Sequence, residues 1–174
     1  EKLTRSLLTL NELDMKKRMM HIHRFDINDT IQNTAATFEG TCAGRQIRLE
    51  LLLSGRELYV RADMEQIQQV LYNLLDNAIK FSNDCSSIQI ETTVKNGRVF
   101  VSVKDHGSGI SKDNISKIWD RFYKIDASRG KDRKGTGLGL SIVKEIINAH
   151  NQNIDVISTE GVGTEFIFTL EKAK

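Results

Sequence analysis

The sequence predicts an α+β domain, a two-layer α/β sandwich in which helices cover one face of a mixed β-sheet. Three observations lead there. Runs of alternating apolar residues, short enough to be strands, are interspersed with segments of helical periodicity rather than segregated from them. Two of those runs, Ile88–Val94 and Arg98–Val103, flank Asn96-Gly97, the strongest hairpin signal in the chain. Between strand-like segments lies QVLYNLLDNAIKFS (residues 69–82), whose Val70, Leu71, Leu74, Leu75, Ala78 and Ile79 form one apolar stripe of a helix.

The elements follow in order. Leu3, Leu7, Leu10 and Leu13, widened by Leu8 and Met15, make a leucine seam suited to a helix pair or bundle. Such a short segment cannot bury the seam alone, so its partner is expected elsewhere in this chain or in another. His21–Phe25 alternates and reads as an edge strand. Asp26–Ala43 reads as one helix with Asp26 or Asn28 near its cap. Ile47–Leu53 and Glu57–Arg61 read as a hairpin across Ser54-Gly55. Asp63 followed by Gln66 is a capping-box pattern that opens the helix containing the asparagines. Residues 106–134 are mostly polar, with an apolar patch around Ile115–Phe122. Gly139–His150 reads as a helix, and Ile154–Ser158 with Thr164–Leu170 as a final strand pair around Gly161 and Gly163.

Composition narrows the function. With 174 residues, 39% of them hydrophobic, the chain can bury one core of ordinary domain size with a short appendage. A net charge of only +2 argues against a dedicated nucleic-acid binder. Cys42 and Cys85 are far apart and have no His or Cys neighbours at metal-ligand spacing, so they read as reduced cysteines of a cytosolic compartment. No apolar run reaches the length of a membrane span and no signal peptide is visible. The chain opens on Glu1 and is expected to be a fragment.

The asparagine helix carries the first chemistry. Asn73, Asn77 and Lys80 recur at helical spacing beside the apolar stripe. Amide oxygens suit a hard cation that keeps much of its water, and a lysine is a point charge for a phosphate, so this face fits a magnesium–phosphate group. The bland alternative is a partly solvated helix face.

Three glycine clusters follow. Asp105-His106-Gly107-Ser108-Gly109-Ile110 comes directly after a strand. A carboxylate at a strand end can accept a hydrogen bond from an exocyclic amine such as that of adenine, and the glycines let backbone approach a flat ligand. Gly135-Thr136-Gly137-Leu138-Gly139-Leu140 leads into a helix, where free amides make an anion site. No Lys-Ser or Lys-Thr follows it, so it is not a P-loop, and it follows a loop rather than a strand, which argues against a dinucleotide fold. Gly161-Val162-Gly163-Thr164 is the third cluster.

The asparagine helix, DHGSGI, RFYKID, GTGLGL and GVGT, in this order, resemble the boxes of the ATP-binding domain of sensor histidine kinases, within the superfamily of gyrase, chaperone and mismatch-repair ATPases (GHKL). The resemblance covers residues 22–174; the opening LTRSLLTLNELD more weakly resembles the end of a dimerisation and histidine-phosphotransfer hairpin, giving a boundary at residue 21. It implies ATP and Mg2+ as cofactors, with Asn77 as the magnesium residue and Asn73 a turn earlier facing the phosphates. Lys80 would lie near the phosphates and Phe81 near the nucleotide. Asp105 would read the adenine amino group with help from Thr164 through water, and Gly107, Gly109 and Ile110 would line the base pocket. Phe122, Tyr123 and Lys124 would belong to the phenylalanine box, with Lys124 near the terminal phosphate and Phe122 packing the lid. Gly135, Thr136, Gly137, Leu138, Gly139 and Leu140 would close a mobile ATP lid over the phosphates.

The resemblance also implies the reaction. Hydrolysing relatives place a glutamate base where this chain has Asn73, and an amide cannot take a proton from water. Phosphoryl transfer to a histidine on the dimerisation hairpin, for relay to a response regulator aspartate, is therefore expected over the alternatives, a hydrolytic ATPase or a serine kinase of the same fold. None of His21, His23, His106 and His150 has the context of the acceptor, which is expected upstream; His150, at a helix end, sits where a cation would suit the dipole. The implied partners are the upstream dimerisation domain in a homodimer and a receiver domain, with no nucleic acid. The implied setting is the cytoplasmic domain of a membrane-anchored bacterial sensor kinase.

Overall fold

Alternation along β5 (Arg98–Lys104) assigns the faces of the sheet: Val99, Val101 and Val103 are buried, while Phe100 and Ser102 between them are only partly covered. The structure, a computed structural model, describes residues 20–120 and 139–174. The leucine seam up to Met15 lies outside them, as do Phe122, Tyr123, Lys124 and Gly135–Leu138.

The remaining elements are β1 (Ile22–Asp26), α1 (Ile27–Thr37), α2 (Glu39–Gly44), β2 (Arg48–Leu52), β3 (Tyr59–Asp63), α3 (Met64–Phe81), β4 (Ser87–Lys95), α4 (Gly139–Ala149), β6 (Ile154–Thr159) and β7 (Gly163–Lys172). Among the described residues the sheet has seven strands in the order β1-β3-β7-β5-β4-β2, with β6 also paired to β7. It is mixed: β2 runs parallel to β4, and the other pairings are antiparallel. One face of it packs on the helices. Ile88 and Ile90 of β4, the β5 valines, and Phe166, Phe168 and Leu170 of β7 meet the α3 stripe of Ile67, Val70, Leu71, Leu74, Leu75, Ala78 and Ile79, and the α4 residues Ile142, Val143, Ile146 and Ile147. This is the α+β architecture expected, and the Asn96-Gly97 turn has both residues at positive φ (52° and 76°), as a tight hairpin requires.

Two expectations are overturned. β2 and β3 do not form a hairpin; β2 lies on β4 at one edge of the sheet and β3 lies between β1 and β7 near the other. The connection is pinned elsewhere. The Ser54 N–H donates to Thr92 Oγ1 (2.8 Å), Asn28 Nδ2 donates to the Ser54 carbonyl (3.0 Å), and the Leu58 N–H donates to Asp26 Oδ1 (3.0 Å). These bonds hold residues 54–58 across the start of α1, so Gly55 reverses nothing into a ladder. The single helix expected over residues 26–43 is two, broken at Phe38 (φ −100°, ψ 3°). Phe38 turns into the core against Tyr72, ring centroids 5.0 Å apart, and Gly40 and Gly44 give the second piece little propensity to continue.

Candidate functional site

The asparagine helix α3 is fixed at both ends. At its start Asp63 Oδ1 accepts the Gln66 N–H (3.2 Å), the N-cap half of the expected box; the reciprocal half is not made, and Gln66 Oε1 is buried without a partner. Asp63 also receives the His21 N–H on Oδ2 (3.1 Å) and gives its own N–H to His150 Nε2 (3.0 Å). His150 Nδ1 then donates to the Ile146 carbonyl (2.8 Å). One ring nitrogen accepts and the other donates, so this imidazole is neutral. Burial lowers its pKa from the ordinary 6.5, against the Ile146 hydrogen bond and the Asp63 charge. The helix dipole would favour a cation at this end, but desolvation outweighs it.

Along the helix the three polar positions have different environments. Asn73 is engaged at both ends of its amide. Its oxygen accepts from Gln69 Nε2 (2.8 Å) and its nitrogen donates to the carbonyl of Gly139 (3.2 Å), the first residue of α4. Asn77, half-buried one turn on, makes no side-chain hydrogen bond to a described residue. Lys80 is paired with Asp76, Nζ to Oδ2 3.1 Å, across one turn. Asp76 escaped the sequence reading, although its spacing from Lys80 is an ordinary helical pair.

The C-terminal turn of α3 leads into the base loop. Phe81 accepts the Ser108 N–H on its carbonyl (3.2 Å), and Ser82 and Gly107 form an isolated antiparallel bridge. A Cβ at Gly107 would lie 2.0 Å from the Phe81 oxygen. Gly109 (φ 71°) is as tightly placed, 2.2 Å from the Thr159 oxygen, and Gly163 from the Asp105 oxygen at the same distance. What these glycines admit at close range is neighbouring backbone. Ile110 is buried and its N–H donates to Ser158 Oγ (2.7 Å).

Asp105 is 4% exposed and lies at the centre of this arrangement. Its Oδ1 accepts the N–H of Gly107 (3.0 Å) and of Thr164 (3.2 Å), while its own N–H donates to the Thr164 carbonyl (2.8 Å). Oδ2 accepts nothing from a described residue. Burial raises the carboxyl from 3.8 to about 6, opposed by the two backbone N–H groups and the nearby His106. Thr164 supports Asp105 through its backbone, and its hydroxyl is 2.8 Å from Ser158 Oγ. Ser158 and Arg45, which bonds the carbonyls of Ile79 and Ser82, were not singled out in the sequence. Neither belongs to a motif, and only the tertiary fold shows their partners.

Gly139 and Leu140 open α4, Leu140 packed partly against the core. Among the described residues, no group of three or more His, Cys, Asp or Glu side chains could hold a metal ion, and no helix is long and apolar enough to cross a membrane.

Comparison with known proteins gives the family. The family model "Histidine kinase-, DNA gyrase B-, and HSP90-like ATPase" matches residues 62–174. Sensor histidine kinase WalK of Bacillus subtilis (strain 168) is 36% identical over 173 residues, 97% of this chain but 28% of that protein, so the chain spans under a third of this relative. The nucleotide-free catalytic domain of histidine kinase ThkA is 32% identical with a TM-score of 0.78, covering 88% of this chain and 97% of that one. Histidine kinase ThkA in complex with response regulator protein TrrA is 28% identical, with a TM-score of 0.78 over 99% of this chain and 48% of that one. The chain therefore belongs to the histidine kinase-, DNA gyrase B- and HSP90-like ATPase family, as a catalytic domain of the sensor histidine kinase type.

Proposed function

We propose that residues 22–174 bind ATP with Mg2+ and transfer its γ-phosphoryl group to a histidine of a dimerisation hairpin whose end is residues 1–21, for relay to a response regulator aspartate. The observation that carries the reading is Asp105: a buried carboxylate with one oxygen held by two backbone N–H groups and the other without a partner among the described residues. Such an oxygen suits an exocyclic amine. Lys80 and Phe81 stand on the turn that packs on this loop. For the metal, the donor set fits: Asn77 offers an amide oxygen that bonds no described residue, and a magnesium ion completes its shell from phosphates and water. Tyr123, Lys124 and the run from Gly135 to Leu140 are the proposed phosphate side.

Asn73 supports transfer over hydrolysis. An amide with both ends engaged has no lone pair of carboxylate basicity to take a proton from water. The complex of histidine kinase ThkA with response regulator protein TrrA supports a response regulator as the relay partner. In the whole protein the domain is proposed to work as a homodimer on the cytoplasmic side of a membrane-anchored sensor.

Base preference tests the pocket. Guanine presents a carbonyl where adenine presents its amine, so Asp105 should favour ATP and ADP over GTP by about tenfold or more. Equal affinities in a competition titration would refute it. Transfer is tested by giving γ-labelled ATP to the chain together with its upstream hairpin: label lost in acid and kept in alkali marks phosphohistidine, whereas free phosphate alone returns the hydrolytic reading.

A further inference from the structure

The end of the asparagine helix is held by one guanidinium. Arg45 donates through Nη1 to the carbonyl of Ile79, through Nη2 to that of Ser82 (2.6 Å), and through Nε to Asp84 Oδ1 (2.7 Å); its own carbonyl accepts the Cys85 N–H (3.1 Å). The carbonyls of a last helical turn have no intrahelical donor, and a cation is favourable there. Two of them, three residues apart, are spanned by a rigid fork in a way a single ammonium cannot reproduce.

The turn so held is the one that carries Lys80 and Phe81. From it the contacts run without slack to the carboxylate. The Phe81 carbonyl takes the Ser108 N–H, Ser82 bridges Gly107, and the Gly107 N–H donates to Asp105 Oδ1. Gly107 has no room to move toward Phe81, since even a Cβ would lie 2.0 Å from its oxygen. A displacement of the turn is therefore passed to the base loop rather than absorbed.

The main chain at the two ends of residues 82–86 is tied by the Ser82 N–H to the Ala78 carbonyl (3.0 Å), by the Ser82–Gly107 bridge and by the Arg48 N–H to the Ser86 carbonyl (3.0 Å). Asn83, Asp84 and Cys85 are exposed, and beyond Arg45 the side-chain bonds of the segment are Asn83 Nδ2 to the His106 carbonyl (3.2 Å), Ser86 Oγ to the Asn83 carbonyl (2.5 Å) and Cys85 Sγ to Gln46 Oε1 (2.9 Å). The body of α3, by contrast, is secured by its buried stripe from Ile67 to Ile79. Loss of Arg45 would leave the helix in place and take the side-chain donors from the Ile79 and Ser82 carbonyls.

We infer that Arg45 is a positioning residue for recognition of the nucleotide base, acting through the Ile79 and Ser82 carbonyls on the loop that holds Asp105. The inference rests on the ATP-binding reading above. The Arg45–Asp84 ion pair, with 68% of the Asp84 side chain exposed, is not the active part.

The test titrates ATP, ADP and GTP against the wild-type chain and Arg45→Met, Arg45→Lys and Asp84→Asn, well below the melting temperature of each. Arg45→Met should weaken ATP and ADP about tenfold and narrow the ATP-over-GTP preference, while the ratio of ATP affinities with and without Mg2+ stays unchanged, because Asn77 sits a turn earlier. Arg45→Lys, which keeps the charge, should lose a smaller part, and it carries the same comparison if the Met variant does not fold. Asp84→Asn should bind as the wild type does. A purely structural role lowers the melting temperature and leaves affinity and preference alone; that result in the Arg45 variants overturns the inference, as does an equal loss in Asp84→Asn. Wild-type protein that binds no ATP removes the functional reading and this inference with it, whereas normal wild-type binding with unaltered Arg45 variants removes the role of Arg45 alone.

Discussion

Replacing Asp105 by Asn is expected to raise the stability of the nucleotide-free protein while removing most of its affinity for ATP. The carboxyl is raised by burial from 3.8 to about 6. Between those values the folded chain holds a proton that the unfolded chain has released. This group's contribution to stability is therefore largest below the unfolded value, declines as pH rises through the window, and leaves a full penalty above about 6. At pH 7 that penalty is about 1–3 kcal/mol. An amide is isosteric and uncharged. Its oxygen can keep the Gly107 and Thr164 N–H groups, so the penalty disappears and the melting temperature rises by about 2–4 °C per kcal/mol. In the site, however, the amide nitrogen now takes the place of Oδ2, and a donor faces the exocyclic amine. Loss of a charge-assisted hydrogen bond of about 1.5–3 kcal/mol weakens ATP by about ten- to a hundredfold. Calorimetric melting of the apo protein and isothermal titration with an ATP analogue measure both effects. In the wild type, affinity should also fall as pH drops below about 6. A variant that melts lower and binds as well as wild type would refute the burial argument and the base contact together.

Three further outcomes are expected. Asn77→Ala, which removes a half-buried side chain that bonds no described residue, should abolish the Mg2+-dependent part of ATP binding and change stability by no more than about 0.5 kcal/mol; an unchanged Mg2+ dependence in a fluorescent-nucleotide titration counts against the metal role. Gly107→Ala drives a methyl to within 2.0 Å of the Phe81 oxygen and should cost about 2–4 kcal/mol in urea unfolding, so a variant of wild-type stability would show that the loop and the helix end are not in this contact. Neutral His150 contributes stability that is present above pH 6.5 and lost as pH falls below it, because the unfolded chain takes the proton first; His150→Gln should flatten the urea midpoint between pH 7.5 and 5.5, and an equally steep profile would place the titration elsewhere.

What the sequence disclosed was what local pattern encodes. The α3 stripe, its Asp63 cap, the Asn96-Gly97 hairpin and the alternation of β4, β5 and β7 are short-range signals, and the elements formed where those signals stand. The partner of β2 was not legible, because Ser54-Gly55 marks a reversal but not the strand to which the chain returns; bonds from Thr92, Asn28 and Asp26 decide that over separations of 26 to 38 residues. Phe38, at the helix break, packs on Tyr72 of α3, and the neutral state of His150 rests on an N–H 87 residues away. At the site, Asp105 stood out by its place before two glycines, whereas Arg45 and Ser158 are single polar residues whose importance comes wholly from what the fold brings to them.

The close approaches at Gly107, Gly109 and Gly163 set the material of which the site is made. Three segments meet there main chain to main chain, at separations no side chain could occupy. A junction of peptide groups keeps its shape when the residues around it are replaced, as long as the glycines stay. Such a site is robust to drift at Ser108, His106 or Val162 and brittle at three points. As the sequence diverges, this confines the strictest constraint to positions that carry no side chain, and leaves the surface between them open to change.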